Sequence, residues 1–222
     1  MRRIINVILI MLFISISLCM FACKDNGNKD YTASIEESDV AKLSLFAFDG
    51  EGEQKWGLMN LGHAWVTIEN VSTSPIQLND RTLAVGEIIS IGTWSMLDHF
   101  GVWYNVESGY VSEYNRYDGR VSATIGLSED DITKVCQFIS SNDKWNFLFN
   151  CSKFALNLFD SVASDSEYIE KPLIYTPSYI AGEIRKFDTF ETNKEMATIS
   201  DVGYYDGSTF VAFQWEDNYE SV

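Results

Sequence analysis

The sequence predicts an α+β domain: an antiparallel sheet packed against a helix that begins with a cysteine. Three observations carry this prediction. Short alternating or β-branched apolar runs fill the chain from about residue 43 to residue 107, helix-start signals gather from Ser128 onward, and two β-prone runs flank Asp206-Gly207 near the end. Strands first and helices afterwards, with short connections, is the α+β order.

Each element has its own justification. Residues 24 to 40, KDNGNKDYTASIEESDV, are polar with scarcely any aliphatic content, the composition of a flexible tether, so order is expected to start at the strand KLSLFAF. GHAWVTIEN places Ala64, Val66 and Ile68 on one face and His63, Trp65, Thr67 and Glu69 on the other, a strand with His63 at its start, directly after Gly62. TSPIQLND reads as a turn and short strand. EIISIGTW and GVWYNVES read as two further β-rich runs, and their short links favour antiparallel pairing. SEDDITKVCQFISS opens with Ser128 and three acids, the N-cap and dipole signals of a helix. NCSKFALNLFDSV follows as a second helix with Cys151, Phe154, Ala155, Leu158 and Phe159 on one stripe. TPSYIAGEIRKF predicts a third, with Thr176 as N-cap and Pro177 in the first turn, and VGYYDGSTFVAFQW predicts a terminal hairpin.

The first 22 residues stand apart. Two arginines precede an almost unbroken apolar run ending at Ala22, the layout of a secretory signal. The tetrapeptide MFAC resembles a bacterial lipobox, with Met20 where leucine is usual, and the resemblance implies lipidation at Cys23. The expected division is a lipoprotein-type signal over 1–22, a tether over 23–42, a domain over 43–190 and a hairpin extension over 191–222. The expected location is the cell envelope, with membrane attachment through the lipid. The formal net charge is -16, and loss of Arg2 and Arg3 with the signal leaves 14 basic against 32 acidic residues. So acidic a chain repels phosphate backbones and anionic lipid headgroups, which argues against nucleic acid as a partner. Aromatic residues make up 14% of the chain, enough for a packed body rather than a disordered one.

Of four cysteines, Cys19 leaves with the signal and Cys23 is reserved for lipid, so Cys136 and Cys151 remain. Cys136 shares a helical face with Ile132, Val135 and Ile139 and reads as core. Cys151 has three readings: a buried hydrophobe, half of a disulfide with Cys136, or a nucleophile. A thiolate is favoured at a helix N-terminus and beside an imidazole, and Cys151 is placed for the first of these. The imidazole must come from His63 or His99, the two histidines of the chain. Of these, His63 starts a strand directly after Gly62, where a side chain can project into a groove at the sheet's edge.

LGHAWVTIEN followed by NCSKFALNLFD resembles the circularly permuted papain-like superfamily, the branch of the NlpC/P60 hydrolases in which the histidine strand precedes the cysteine helix. Its relatives include the lecithin-retinol-acyltransferase-like and YiiX-like proteins. The matching residues are Gly62, His63, Ala64 and Val66, then Asn150, Cys151 and Phe154, within a span of residues 43 to 187. The resemblance implies a permuted papain-like fold with Cys151 as nucleophile, His63 as base and then acid, and the Cys151 backbone N–H as oxyanion donor. A third polar residue is expected to orient the imidazole. Thr93, His99, Glu107 and Asn105 lie on or near the next strands, with Thr93 the first choice and His99 the second. No metal or cofactor is implied.

The function this implies is a cysteine peptidase or amidase-type hydrolase cleaving an amide in a peptide or peptidoglycan-like substrate. Two alternatives stand beside it: an acyl hydrolase or acyltransferase acting on lipid, and a non-enzymatic binding module on the same fold. No helical histidine pair or CxxC supports a metal site, and Ser152 lacks the G-x-S-x-G elbow of a serine hydrolase.

Overall fold

The computed structural model describes residues 29–50, 62–94, 99–196 and 201–213. The chain divides into Met1–Asp30, of which only Lys29 and Asp30 are described, and Tyr31–Val222. The expected signal segment and Cys23 therefore lie outside the described residues.

In chain order the second unit runs β1 (Ala41–Phe48), β2 (His63–Asn70), β3 (Ile76–Leu78), β4 (Arg81–Leu83), β5 (Ile88–Trp94), β6 (Gly101–Tyr104), α1 (Val106–Tyr114), β7 (Val121–Leu127), α2 (Glu129–Ser141), α3 (Cys151–Asp160), α4 (Pro177–Ile184), β8 (Glu191–Thr192), β9 (Gly203–Asp206) and β10 (Thr209–Ala212). Eight strands form one sheet in the order β10-β9-β6-β5-β2-β1-β7-β8, and every neighbouring pair is antiparallel. This is an α+β architecture with a large antiparallel sheet and, among the described residues, four helices. None of those helices is long and apolar enough to cross a membrane.

Period-two alternation decides the layers. Leu43, Leu45 and Ala47 of β1 and Ala64, Val66 and Ile68 of β2 face one way and join Phe154, Ala155, Leu158 and Phe159 of α3 and Ile180, Ala181 and Ile184 of α4 in the main core. Phe46 and Trp65 face the other way, stacked at 5.2 Å, in a smaller aromatic cluster. Both faces of the central strands are thus covered. Phe154, wholly buried, contributes roughly 1.5–3 kcal/mol by leaving water, and Phe154→Ala is expected to cost about 3–5 kcal/mol once the cavity is included.

The helix starts are where the capping residues put them. The Ser128 hydroxyl accepts the Asp131 N–H while the Asp131 carboxylate accepts the Ser128 N–H, a reciprocal cap. Thr176 accepts from the Tyr179 N–H with Pro177 in the first turn. Elsewhere the structure departs from the sequence pattern. GVWYNVES is one strand, β6, followed by helix α1. Asn105 takes a left-handed conformation with φ 60 and turns the chain out of the sheet. The first five residues of α1 are all buried, so it shows no amphipathic stripe to announce it. The polar stretch expected as a free tether is held at Tyr31, whose ring stacks on Phe187 at 4.5 Å and whose hydroxyl donates to Glu183 at 2.6 Å. The terminal hairpin, β9 and β10, extends the main sheet through the Tyr104–Gly203 pair.

Candidate active site

The site forms where two strands part. β1 and β2 stay paired down to Phe48 opposite His63, but the β2–β5 ladder stops at Val66 opposite Ile91, although both strands run on to His63 and Trp94. The N-terminus of α3, which packs on β2 and β5, lies at this end. Gly62 leads into β2 at φ +75, and a Cβ there would strike the Phe48 carbonyl, so the sharp entry that delivers His63 needs glycine.

Cys151 is the first residue of α3. The Asn150 side chain caps the helix by accepting the Lys153 N–H at 3.0 Å, while its Nδ2 donates to the Tyr175 carbonyl at 3.1 Å. The Cys151 sulfur lies close enough to the His63 ring and to the Ala64 backbone N–H for both to act on its charge. The Ser152 hydroxyl, wholly buried, leans toward the same sulfur without a well-directed hydrogen bond. Both Cys136 and Cys151 are free and half-buried, so no disulfide joins them.

On the other side of the imidazole, His63 Nε2 lies 2.9 Å from Oε1 of Glu107. That leaves Nδ1 as the nitrogen facing sulfur. Glu107 is completely buried in the first turn of α1, where the helix dipole favours a carboxylate. Its Oε1 also accepts from Trp94 Nε1 at 2.8 Å, and its Oε2 accepts from the Ser90 hydroxyl at 3.1 Å. A Cβ on Gly92 would collide with this carboxylate; glycine there opens the slot it occupies. Asn105 locks the turn before α1 by exchanging hydrogen bonds with the Ser90 backbone, at 2.9 and 3.0 Å.

Aromatic rings wall the imidazole in, with centroids at 4.4 Å for Trp94, 5.6 Å for Trp65 and 5.9 Å for Tyr117. Tyr117 itself sits at φ 61, a conformation rare for a bulky residue. In this dry setting the charges decide the protonation states. Burial alone pushes the His63 imidazole down, but the Cys151 sulfur and the Glu107 carboxylate outweigh it and push the imidazole up to about 10. Burial pushes the Cys151 thiol up, and the His63 charge and hydrogen bond, with the Ala64 N–H, more than reverse this and hold it below its usual value. Both shifts favour a thiolate–imidazolium pair.

The other residues expected at the site lie elsewhere. Thr93 points to the opposite side of β5 from Gly92 and Trp94, and among the described residues its buried hydroxyl has no hydrogen-bond partner. His99 pairs through Nε2 with Asp143 at 2.8 Å and stacks on Tyr204 at 4.4 Å. The atom that meets the free side of the His63 ring belongs instead to Glu107. Glu107 is one of the four candidates near the next strands, ranked behind Thr93 and His99; what marks it in the sequence is a glycine two residues before a tryptophan, then an acid two residues past an asparagine. Among the described residues no cluster of three or more His, Cys, Asp or Glu side chains could hold a metal ion. No protein-family model, no curated protein and no solved structure matches this chain.

Proposed function

We propose that the chain is a thiol hydrolase of the permuted papain-like type, with Cys151 as nucleophile, His63 as general base and acid, and Glu107 as the residue that orients His63. The observation that carries this reading is the single imidazole held between a fully buried carboxylate and a half-buried, unbridged thiol at a helix start. A thiol paired only with core side chains would suit a binding module. A charge-shifted thiol paired with an oriented imidazole suits chemistry.

The thiolate of Cys151 attacks a substrate carbonyl carbon, forming the C–S bond and placing the electron pair on oxygen. As the first residue of α3, Cys151 has a backbone N–H with no intrahelical acceptor, so it is available to the oxyanion. His63, protonated in the resting pair, gives its proton to the leaving amine as the C–N bond breaks. Water then adds to the thioester with His63 as base, and the acid product and free thiolate are released. Glu107 keeps Nε2–H fixed and the ring turned toward sulfur throughout. The substrate class proposed is an amide in a peptide or peptidoglycan-like polymer of the cell envelope, with the chain attached to the membrane through Cys23.

The test is mass spectrometry of peptidoglycan fragments, peptides and lipids after incubation with wild type, Cys151→Ala and His63→Ala. New amine and carboxylate ends that appear only with wild type are expected. Equal turnover by Cys151→Ala would sink the reading.

A further inference from the structure

We propose that two loop tips beside the candidate nucleophile, Phe147-Leu148 and Leu173-Ile174, form a rim that inserts into an anionic lipid surface. Their exposures are 86%, 79%, 92% and 61%, the four highest among the described large apolar side chains. Singly, an exposed leucine needs no explanation; here the exposed side chains are gathered at one place. Asn146 and Phe149 exchange both backbone hydrogen bonds, at 3.1 and 3.0 Å, so Phe147 and Leu148 cap a closed two-residue turn. The Asn150 amide ties this turn to the second loop through the Tyr175 carbonyl. Phe100, 59% exposed, adjoins the first turn by accepting the Trp145 N–H at its carbonyl.

Charge selects the occupant. Residues 144–159 and 171–182 carry three lysines and no acid, in a chain with twice as many acidic as basic residues. Lys153 lies over the rings of both Phe149 and Tyr175, at 5.9 and 5.3 Å, and Lys144 over Phe149 at 5.2 Å, so the ammonium groups stand around the base of the apolar tips. Asp143, Asp160, Glu170 and Glu183 border the two segments; the Asp143 carboxylate is engaged by His99 and the Val102 N–H, that of Asp160 accepts the Ile169 N–H, and that of Glu183 accepts from Tyr31 and Lys186. The remaining negative charge of the chain acts through a screening length of about 8 Å, and Lys144 and Lys153, over the Phe149 and Tyr175 rings, add positive charge beside the tips. Half-buried Trp145 and Tyr175 flank the tips in the chain, and amphipathic rings of this kind favour a membrane interface. Apolar tips flanked by aromatic residues and lysines form the pattern of an interfacial anchor. Cys151 follows Leu148 by three residues, so a docked rim holds the cleft against the lipid surface.

The test places p-benzoylphenylalanine at Phe147, at Leu173 or, as control, at Val85 of the full chain, on vesicles of phosphatidylcholine and phosphatidylglycerol. Val85 is 54% exposed, and its turn is bonded to Asn70 at the end of β2 opposite His63. Irradiation is expected to give lipid adducts at 147 and 173 at least 10-fold above those at 85. The triple change Lys144→Glu, Lys153→Glu, Lys171→Glu, checked for native circular dichroism, is expected to cut them several-fold. Adducts to another copy of the chain in place of lipid, equal yields at all three positions, or indifference to the lysine reversal and to phosphatidylglycerol would each overturn the proposal. No turnover is needed, so repeating the measurement in Cys151→Ala separates this result from the fate of the hydrolase reading.

Discussion

Oε1 of Glu107 and Nε2 of His63 are 2.9 Å apart, and the carboxylate that makes this contact is wholly sealed from solvent. A buried carboxylate with three donors stays where it is put, so it fixes both the tilt of the imidazole and the nitrogen that meets sulfur. Glu107→Gln keeps the shape and removes the charge. Turnover is expected to fall about 100-fold with KM little changed, and the alkaline limb of the rate profile is expected to move to lower pH as His63 loses a partner. Steady-state kinetics across pH reads both effects.

Thr93→Val is the matched control. The hydroxyl it removes is buried and unpaired among the described residues, so the change is expected to leave turnover intact and to raise stability by up to about 1 kcal/mol. Urea unfolding and the same kinetic assay suffice. A loss of turnover comparable to that of Glu107→Gln would return the orienting role to Thr93.

Gly92→Ala separates the slot from the carboxylate. The added methyl group occupies the space of the Glu107 side chain, so α1 must shift or the carboxylate must leave His63. A destabilisation of about 1–3 kcal/mol is expected, together with a loss of turnover that persists under conditions where the variant is fully folded.

The depressed thiol makes a chemical prediction that needs no substrate. Iodoacetamide is expected to alkylate Cys151 at neutral pH faster than it alkylates a thiol with the ordinary value of 9.0, because the His63 charge keeps sulfur ionised. In His63→Ala the rate is expected to fall at least 10-fold at pH 7 and to recover as pH rises. Peptide mapping distinguishes Cys151 from Cys136.

Stability against pH carries the signature of the pair. His63, raised from 6.5 to about 10, contributes stability that is fully present below 6.5 and is lost as pH rises through about 10. Cys151, lowered from 9.0, contributes stability that is present above 9.0 and is lost as pH falls through its depressed value. Over the part of the 6.5–9.0 range that lies above the depressed value of Cys151 the two slopes oppose each other, since folded and unfolded chains then hold the same number of protons on the pair, one on His63 in the first and one on Cys151 in the second. The contribution of the pair to the urea midpoint, taken as the difference from a Cys151→Ala, His63→Ala double variant, is expected to be flat across this window. It is expected to decline on either side, and a slope that continues without a break up to pH 9.0 would contradict the ion pair.

Much of the fold could be read from the chain because its signals are local. Ser128 with Asp131, Thr176 with Pro177 and Asn150 ahead of Cys151 announce helix starts by short-range hydrogen bonding, and the alternation in HAWVTIEN announces β2. The orienting residue was harder because it depends on a turn taken by one asparagine. Asn105 in an extended conformation would continue β6; Asn105 at φ 60 starts α1 and drives Glu107 under β5. Nothing in VESGYVSEY has a helical apolar stripe, because its first turn is buried on every side. An isolated acid in such a segment looks like surface until Gly92, Ser90 and Trp94 are seen to surround it.

Asn150 has one side chain and two obligations: its oxygen holds the start of α3, and its nitrogen holds the loop that carries Leu173 and Ile174. The position of that loop and the position of the thiol are therefore not independent coordinates. Anything that draws the loop outward must either tilt the first turn of α3 or break the amide's grip on the Tyr175 carbonyl. The reactivity of Cys151 is in this sense mechanically geared to what the neighbouring surface touches, with a single carboxamide as the gear tooth.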